Sequence, residues 1–372
     1  MRLETVLNFV IDANLALLVA ALVVLVFEAV LLAAGYRRAY GTRLKIVMTS
    51  LLALLVLPLL VPVTETVVGP NTPQVSDLLV AQYLRGNISM SAVGMNDLLS
   101  MRQTVVDGIV SGNSGWLLAA AAFVVTAMIA RAGYVGVNLI RICRLIRGGV
   151  VIRRIGRVRV VVSSRAKVPF STRGPRNHYV VLPQSLLLDS KAVEISIGHE
   201  FQHIRQRDIE IEVLTALASP LFVLNPGFWI MSMKLRKLRE YTCDLEYLKR
   251  SGCDPKHYAR ALLRVARQAF SQQGVPSPQA FSVPFIGRSK LFPKSVKTGL
   301  AERITVLANG ERKRPPALIS AALIVGIVSS VALGTIAFQN RAGWSHDRLM
   351  LSSVANLERL NERNRRAAAT AQ

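Results

Sequence analysis

Four long apolar stretches constrain this chain more than any other feature, because about 20 helical residues cross a hydrocarbon core of roughly 30 Å. Ile46–Val63 carries no charge over 18 residues, and Pro316–Phe338 none over 23. Trp116–Ala130 is uncharged and continues past Arg131 to Ile140. Ala13–Gly35 is interrupted only by Glu28. Asp12 and the unbroken apolar run towards Glu28 fit a retained span, since a cleavable signal peptide needs a basic start and a short apolar core. The expected class is a mainly α membrane protein with four transmembrane helices.

The formal net charge of +24 is placed where such a protein needs it. Basic residues gather on the cytoplasmic side of spans and meet anionic lipid there. Arg37, Arg38, Arg43 and Lys45 lie between the first two spans. Arg141, Arg144, Arg147, Arg153 and Arg154 follow the third, and Arg312, Lys313 and Arg314 abut the last. Thr64–Gly115, by contrast, holds Glu65, Asp77, Asp97 and Asp107 against Arg85 and Arg102. One topology satisfies all of these: both termini outside, residues 64–115 an external loop, 339–372 a short external tail, and 141–315 cytoplasmic. The lipid bilayer accounts for the basic excess, so no direct nucleic-acid partner is expected. Cys143, Cys243 and Cys253 all fall in the cytoplasmic region, where thiols stay reduced.

That region reads as an α+β domain. Val150–Arg154 and Val158–Ser163 are β-branched runs split at Gly156, the pattern of a hairpin. Val168–Ser171 and Tyr179–Pro183 flank the turn cluster Gly174-Pro175-Arg176-Asn177. Helical text begins at Ser190. Phe270–Lys297, rich in Ser, Gln, Pro and Gly, reads as a loop.

His199-Glu200-Phe201-Gln202-His203 carries the chemistry. On a helix, positions i and i+4 share a face, so both histidines can present nitrogen to one metal. Glu200 lies beside that face, where a general base for metal-assisted hydrolysis belongs. A zinc that keeps one position open needs a third protein ligand. Glu240, 37 residues after His203, offers it, and Asp244 on the same face can fix the tautomer of a ligand histidine. Cys243 is an alternative ligand whose helix phase differs from Glu240's, and reads as a small packing residue.

This assignment has a geometric cost. Val213–Met233 is uncharged over 21 residues, long enough to span. A crossing there would strand Glu240 on the far side of the membrane from His199 and His203. Asn225-Pro226-Gly227 is a turn signal within it, so 213–239 is expected to be a helical hairpin that returns Glu240 to the site.

The runs KVPFSTRGPRNHYVVLPQSLLL, GHEFQHIRQRD, LNPGFW and REYTCD resemble the BlaR/MecR-type antirepressor membrane metallopeptidases. The resemblance is close over Val150–Arg250, and the order of spans agrees over most of the chain. It implies a zincin-like, gluzincin-type Zn2+ site with His199, His203 and Glu240 as ligands, Glu200 as catalytic base and Asp244 behind them. It also implies a protease facing the cytoplasm that inactivates a transcriptional repressor on a signal, often after cleaving itself. The large external penicillin-binding domain of the β-lactam sensors has no counterpart in the residues up to Gln372, so β-lactam sensing is not carried over. Two other readings stand beside this one: a membrane-protein quality-control protease, and a non-catalytic receptor with a structural zinc.

The remaining polar residues divide into placed and unplaced. Glu28, a charge inside a span, is either functional or neutral against neighbouring helices. His178, His257 and His346 read as solvated or packed, with His257 or Tyr258 a candidate oxyanion donor. Asp208 reads as a helix-surface or capping residue. Val168–Ser171 reads as an edge strand able to pair with an extended substrate. Two readings of Phe270–Lys297 stand side by side: a passive linker, or a site of self-cleavage at Gly287–Lys290, where effective concentration at the site is high.

Overall fold

The computed structural model describes residues 3–68, 75–271, 294–310, 315–337 and 346–370. Five helices open the chain: α1 (Leu3–Ala33), α2 (Tyr40–Val68), α3 (Val75–Leu84), α4 (Ala92–Val110) and α5 (Gly115–Arg147). Strands β1 (Val150–Ile155), β2 (Val158–Ser163), β3 (Phe170–Arg173) and β4 (His178–Pro183) follow. Then come α6 (Ser190–Arg205), α7 (Asp208–Ala218), α8 (Pro226–Ser251) and α9 (Pro255–Ser271). The chain closes with α10 (Lys294–Asn309), α11 (Ala317–Ala337) and α12 (His346–Thr370).

Among the described residues, α1 and α5 are long and apolar enough to cross a membrane, while α11 offers only the shorter stretch Ala317–Leu333. The expected span Ile46–Val63 lies within α2, whose side chains beyond position 56 are outside the described residues. Two spans, rather than the expected four, are thus carried by the described residues. Most of the Phe270–Lys297 loop and all of Gly287–Lys290 also lie outside them.

The chain divides into two units, residues 1–23 with 50–126 and 326–372, and residues 24–49 with 127–325. In the first, α12 packs on α3 and α4, burying Leu351 and Ala355 against Val80, Ala92 and Met95. Arg102 ties α4 to Asp12 of α1 at 2.7 Å. The tail and the 64–115 segment, expected to be external, are therefore largely helical and packed together.

The second unit holds the sheet and every candidate site residue. Strand order is β1-β2-β4-β3, with β2 and β4 parallel and both outer pairs antiparallel. Gly156 takes a positive φ of 57° and turns the β1–β2 hairpin, a conformation that L side chains resist. Parallel strands covered on both faces read as continuous apolar runs, and β2 and β4 do so. Val160, Val162, Val180 and Leu182 face α6 through Ala192, Ile197 and Phe201. Val161 and Val181 face the other way, onto Ile142 and Leu145 of α5 and Ala216 of α7. Each such fully buried valine contributes about 1.5–3 kcal/mol, so the sheet is a firm floor for α6.

Val213–Met233 is not one helix. α7 stops at Ala218, and α8 starts at Pro226, capped by the Asn225 side chain accepting from Phe228 N at 3.3 Å. Pro226 at the first turn has no N–H to lose, so the chain restarts a helix where it could not have continued one.

Candidate metal centre

Helix α6 is capped by Asp189, whose side chain accepts from Ala192 N at 3.0 Å. Its buried stripe, Ala192, Ser196, His199 and His203, follows the helical repeat, so the face that packs also carries both histidines. Their Nε2 atoms stand 3.2 Å apart. From α8, Glu240 approaches both, Oε2 lying 3.8 Å from His199 Nε2 and Oε1 3.7 Å from His203 Nε2. Two ligands at roughly 2.0–2.1 Å from a tetrahedral zinc are about 3.3 Å apart, so the donor set fits such an ion within a few tenths of an ångström. α6 and α8 come this close partly because Gly198 has no β-carbon, which would collide with the Tyr247 ring.

Each donor has a partner behind it. Asp208 Oδ2 lies 2.8 Å from His203 Nδ1, and Asp244 Oδ1 lies 3.4 Å from His199 Nδ1. The Tyr258 hydroxyl donates to Asp244 Oδ1 at 2.7 Å and lies 2.9 Å from the same His199 Nδ1. Arg303 of α10 reaches Asp244 at 2.6 Å and Glu240 Oε2 at 3.0 Å. Glu200 lies on the same side as Glu240 and Arg303, and with them lines a cleft walled by Pro169 and Phe170.

Three readings from sequence change here. Asp208 is neither a surface residue nor the cap of α7. It is 4% exposed and serves His203, delivered there by Arg207 in the left-handed region at φ 57°. Tyr258 is fully buried with its hydroxyl directed to Asp244 and His199, and His257 is exposed, so neither is an oxyanion donor facing the cleft. Cys243 does more than pack. Its Sγ lies 3.6 Å from His199 Nδ1, and His199, His203 and Cys243 form a second possible donor group with ligand atoms within 4.8 Å of one another. Glu240 faces the Nε2 atoms of both histidines, whereas Cys243 approaches the His199 nitrogen already engaged by Tyr258 and Asp244. Arg303 had no sequence signal at all, since no spacing rule links α10 to α8.

The electrostatics favour a bound cation. Burial alone would lower the pKa of His199, but the Cys243 sulfur and the Glu240 carboxylate more than reverse this and raise it to about 10. His203 is raised likewise, with Cys243 and Asp208 outweighing burial. Burial would push Glu240 up, yet Arg303 and the two histidines hold it far below the usual carboxylate range. Donors that retain protons this strongly lie in a field that attracts positive charge, and a divalent metal replaces such protons when it binds.

No curated protein matches the chain. A family model described as BlaR1 peptidase M56 matches residues 8–282, about three quarters of its length. The chain therefore belongs to this family of membrane-associated metallopeptidases, and the resemblance read from the GHEFQHIRQRD and REYTCD runs is borne out.

Proposed function

We propose that the protein is a zinc endopeptidase with its site on the cytoplasmic side of the membrane, held by four spans with both termini outside. The observation that carries this is the convergence of two Nε2 atoms and one carboxylate beside Glu200, in one cleft. His199, His203 and Glu240 would hold the metal, which when bound lowers the pKa of water and polarises a carbonyl. Glu200 takes the proton of the attacking water and returns it to the leaving amine. Asp208 and Asp244 keep the histidine tautomers with Nε2 free to ligate.

Val168–Phe170, which runs into the start of the edge strand β3, borders the cleft and is the segment against which an extended peptide would lie. The substrate is a cytoplasmic protein, and the family resemblance favours a transcriptional repressor cut in response to a signal. Glu200→Gln tests the chemistry. It should retain zinc while hydrolysis of a cytoplasmic substrate falls by orders of magnitude, and an active Glu200→Gln protein would exclude this mechanism. Comparing the cytoplasmic proteomes of cells with wild-type protein and Glu200→Gln identifies the substrate, and many unrelated membrane proteins accumulating would favour quality control instead.

A further inference from the structure

Helix α10 contributes one cation to the wall of the cleft, Arg303, and spreads it over two carboxylates of α8, Glu240 and Asp244. Nε and Nη2 hold Asp244 at 2.7 and 2.6 Å, and Nη1 holds Glu240 Oε2 at 3.0 Å. The Arg303 side chain is 11% exposed and that of Asp244 1%. A planar guanidinium can donate in these three directions at once, whereas an ammonium is a point charge that serves one carboxylate well. The neighbouring residue docks the same helix: Glu302 accepts from Lys237 at 2.9 Å and from the Tyr241 hydroxyl at 2.6 Å. Two successive residues of α10 thus engage positions 237, 240, 241 and 244, one continuous face of α8.

We propose that Arg303 is a positioning residue for the metal-binding carboxylate. By holding Oε2 of Glu240 it sets the rotation of that group, leaving Oε1 turned towards His203. It also bridges the two carboxylates one turn apart, so that Glu240 is oriented before a metal arrives. Tight metal binding then depends on α10 being seated on α8. The proposal rests on Glu240 being a ligand.

The test uses the full chain in detergent, stripped of metal and titrated with Zn2+ against a chromophoric chelator, with the visible spectrum of bound Co2+ as a second readout. Arg303→Ala should weaken Zn2+ binding by about 10–100-fold, the usual effect of removing a group that orients a ligand. Arg303→Lys should fall between it and wild type, and the Co2+ spectrum should change in both while the metal-free melting temperature of Arg303→Lys stays near that of wild type. Should Arg303→Ala fail to fold, Arg303→Lys decides: wild-type affinity and spectrum there would overturn the role of the fork. Tighter Zn2+ binding in either variant would also overturn it, showing that Arg303 competes with the metal for Glu240. Glu240→Ala separates this from the ligand assignment. If that variant binds Zn2+ as wild type does, the assignment itself fails; if it loses Zn2+ while both Arg303 variants bind normally, only the role of Arg303 fails.

Discussion

Replacing Asp208 with Ala should loosen the metal without disturbing any ligand. Asp208 Oδ2 lies 2.8 Å from His203 Nδ1, with the two residues 4% and 6% exposed. For Nε2 to face the metal, Nδ1 must carry the ring proton, and the carboxylate accepts it. Alanine leaves that N–H buried without an acceptor and frees the ring to change tautomer. Loss of such a partner lowers metal affinity by about 10–100-fold, which is about 1.4–2.8 kcal/mol at 1.4 kcal/mol per factor of ten. The backbone should hold, because Arg239 donates to the Asp208 carbonyl at 3.0 Å and that contact survives the substitution. Asp208→Asn keeps an acceptor oxygen but not the charge, so its loss should be smaller. Chelator competition with Zn2+ on the purified chain measures both variants. An Asp208→Ala protein with wild-type affinity would refute the claim that this carboxylate orients His203.

Two further outcomes follow from groups around the site. Arg239 and Glu212 form a buried pair at 2.5 Å, with side chains 4% and 1% exposed, so Arg239→Ala should cost about 3–5 kcal/mol by leaving Glu212 uncompensated. A lowered melting temperature would show it, Arg239→Met combined with Glu212→Leu should regain most of the loss, and an Arg239→Ala protein as stable as wild type would remove the argument. In metal-stripped protein the pKa of His199, raised to about 10 from 6.5, gives stability that is fully present below the lower value and is lost as pH rises through the higher one. The melting temperature of wild type relative to His199→Gln, followed across that window, should fall with rising pH, and a flat difference would contradict the assigned cause.

Local rules carried much of this far. The hairpin at Gly156, the turn at Gly174, the α6 helix and its two histidines all follow from periodicity and turn chemistry within about ten residues. The break in Val213–Met233 was legible because Asn225-Pro226 is both a cap and a helix start. What escaped was long-range pairing. Asp208 looks from sequence like any acid at a helix start, and only the left-handed Arg207 turns it back onto His203. Tyr258 and Arg303 reach the site from α9 and α10, across 59 residues from His199 and from Asp244 respectively. Cys243 was placed by helix phase relative to Glu240 alone, which says nothing of how close α6 approaches when Gly198 lets Tyr247 in.

The same long-range pairing explains the charge within the first apolar helix. Glu28 is 2% exposed and is met by Arg43 at 2.9 Å and by Lys234, so it sits between two basic side chains rather than among apolar neighbours alone. A carboxylate inside an apolar helix is costly alone, and two cations from different elements offset that cost only if α1, α2 and α8 hold one arrangement. Lys234 precedes Glu240 by six residues on an unbroken helix, about 9 Å along its axis. Along that one rod lie the contact to α1, the Lys237 and Tyr241 contacts to Glu302, the buried Arg239–Glu212 pair, and then Glu240 and Asp244. A shift of α8 large enough to part Lys234 from Glu28 would also move Glu240 relative to the histidines of α6. The ion pair in the apolar helix and the donor geometry of the site are therefore set by the position of a single helix.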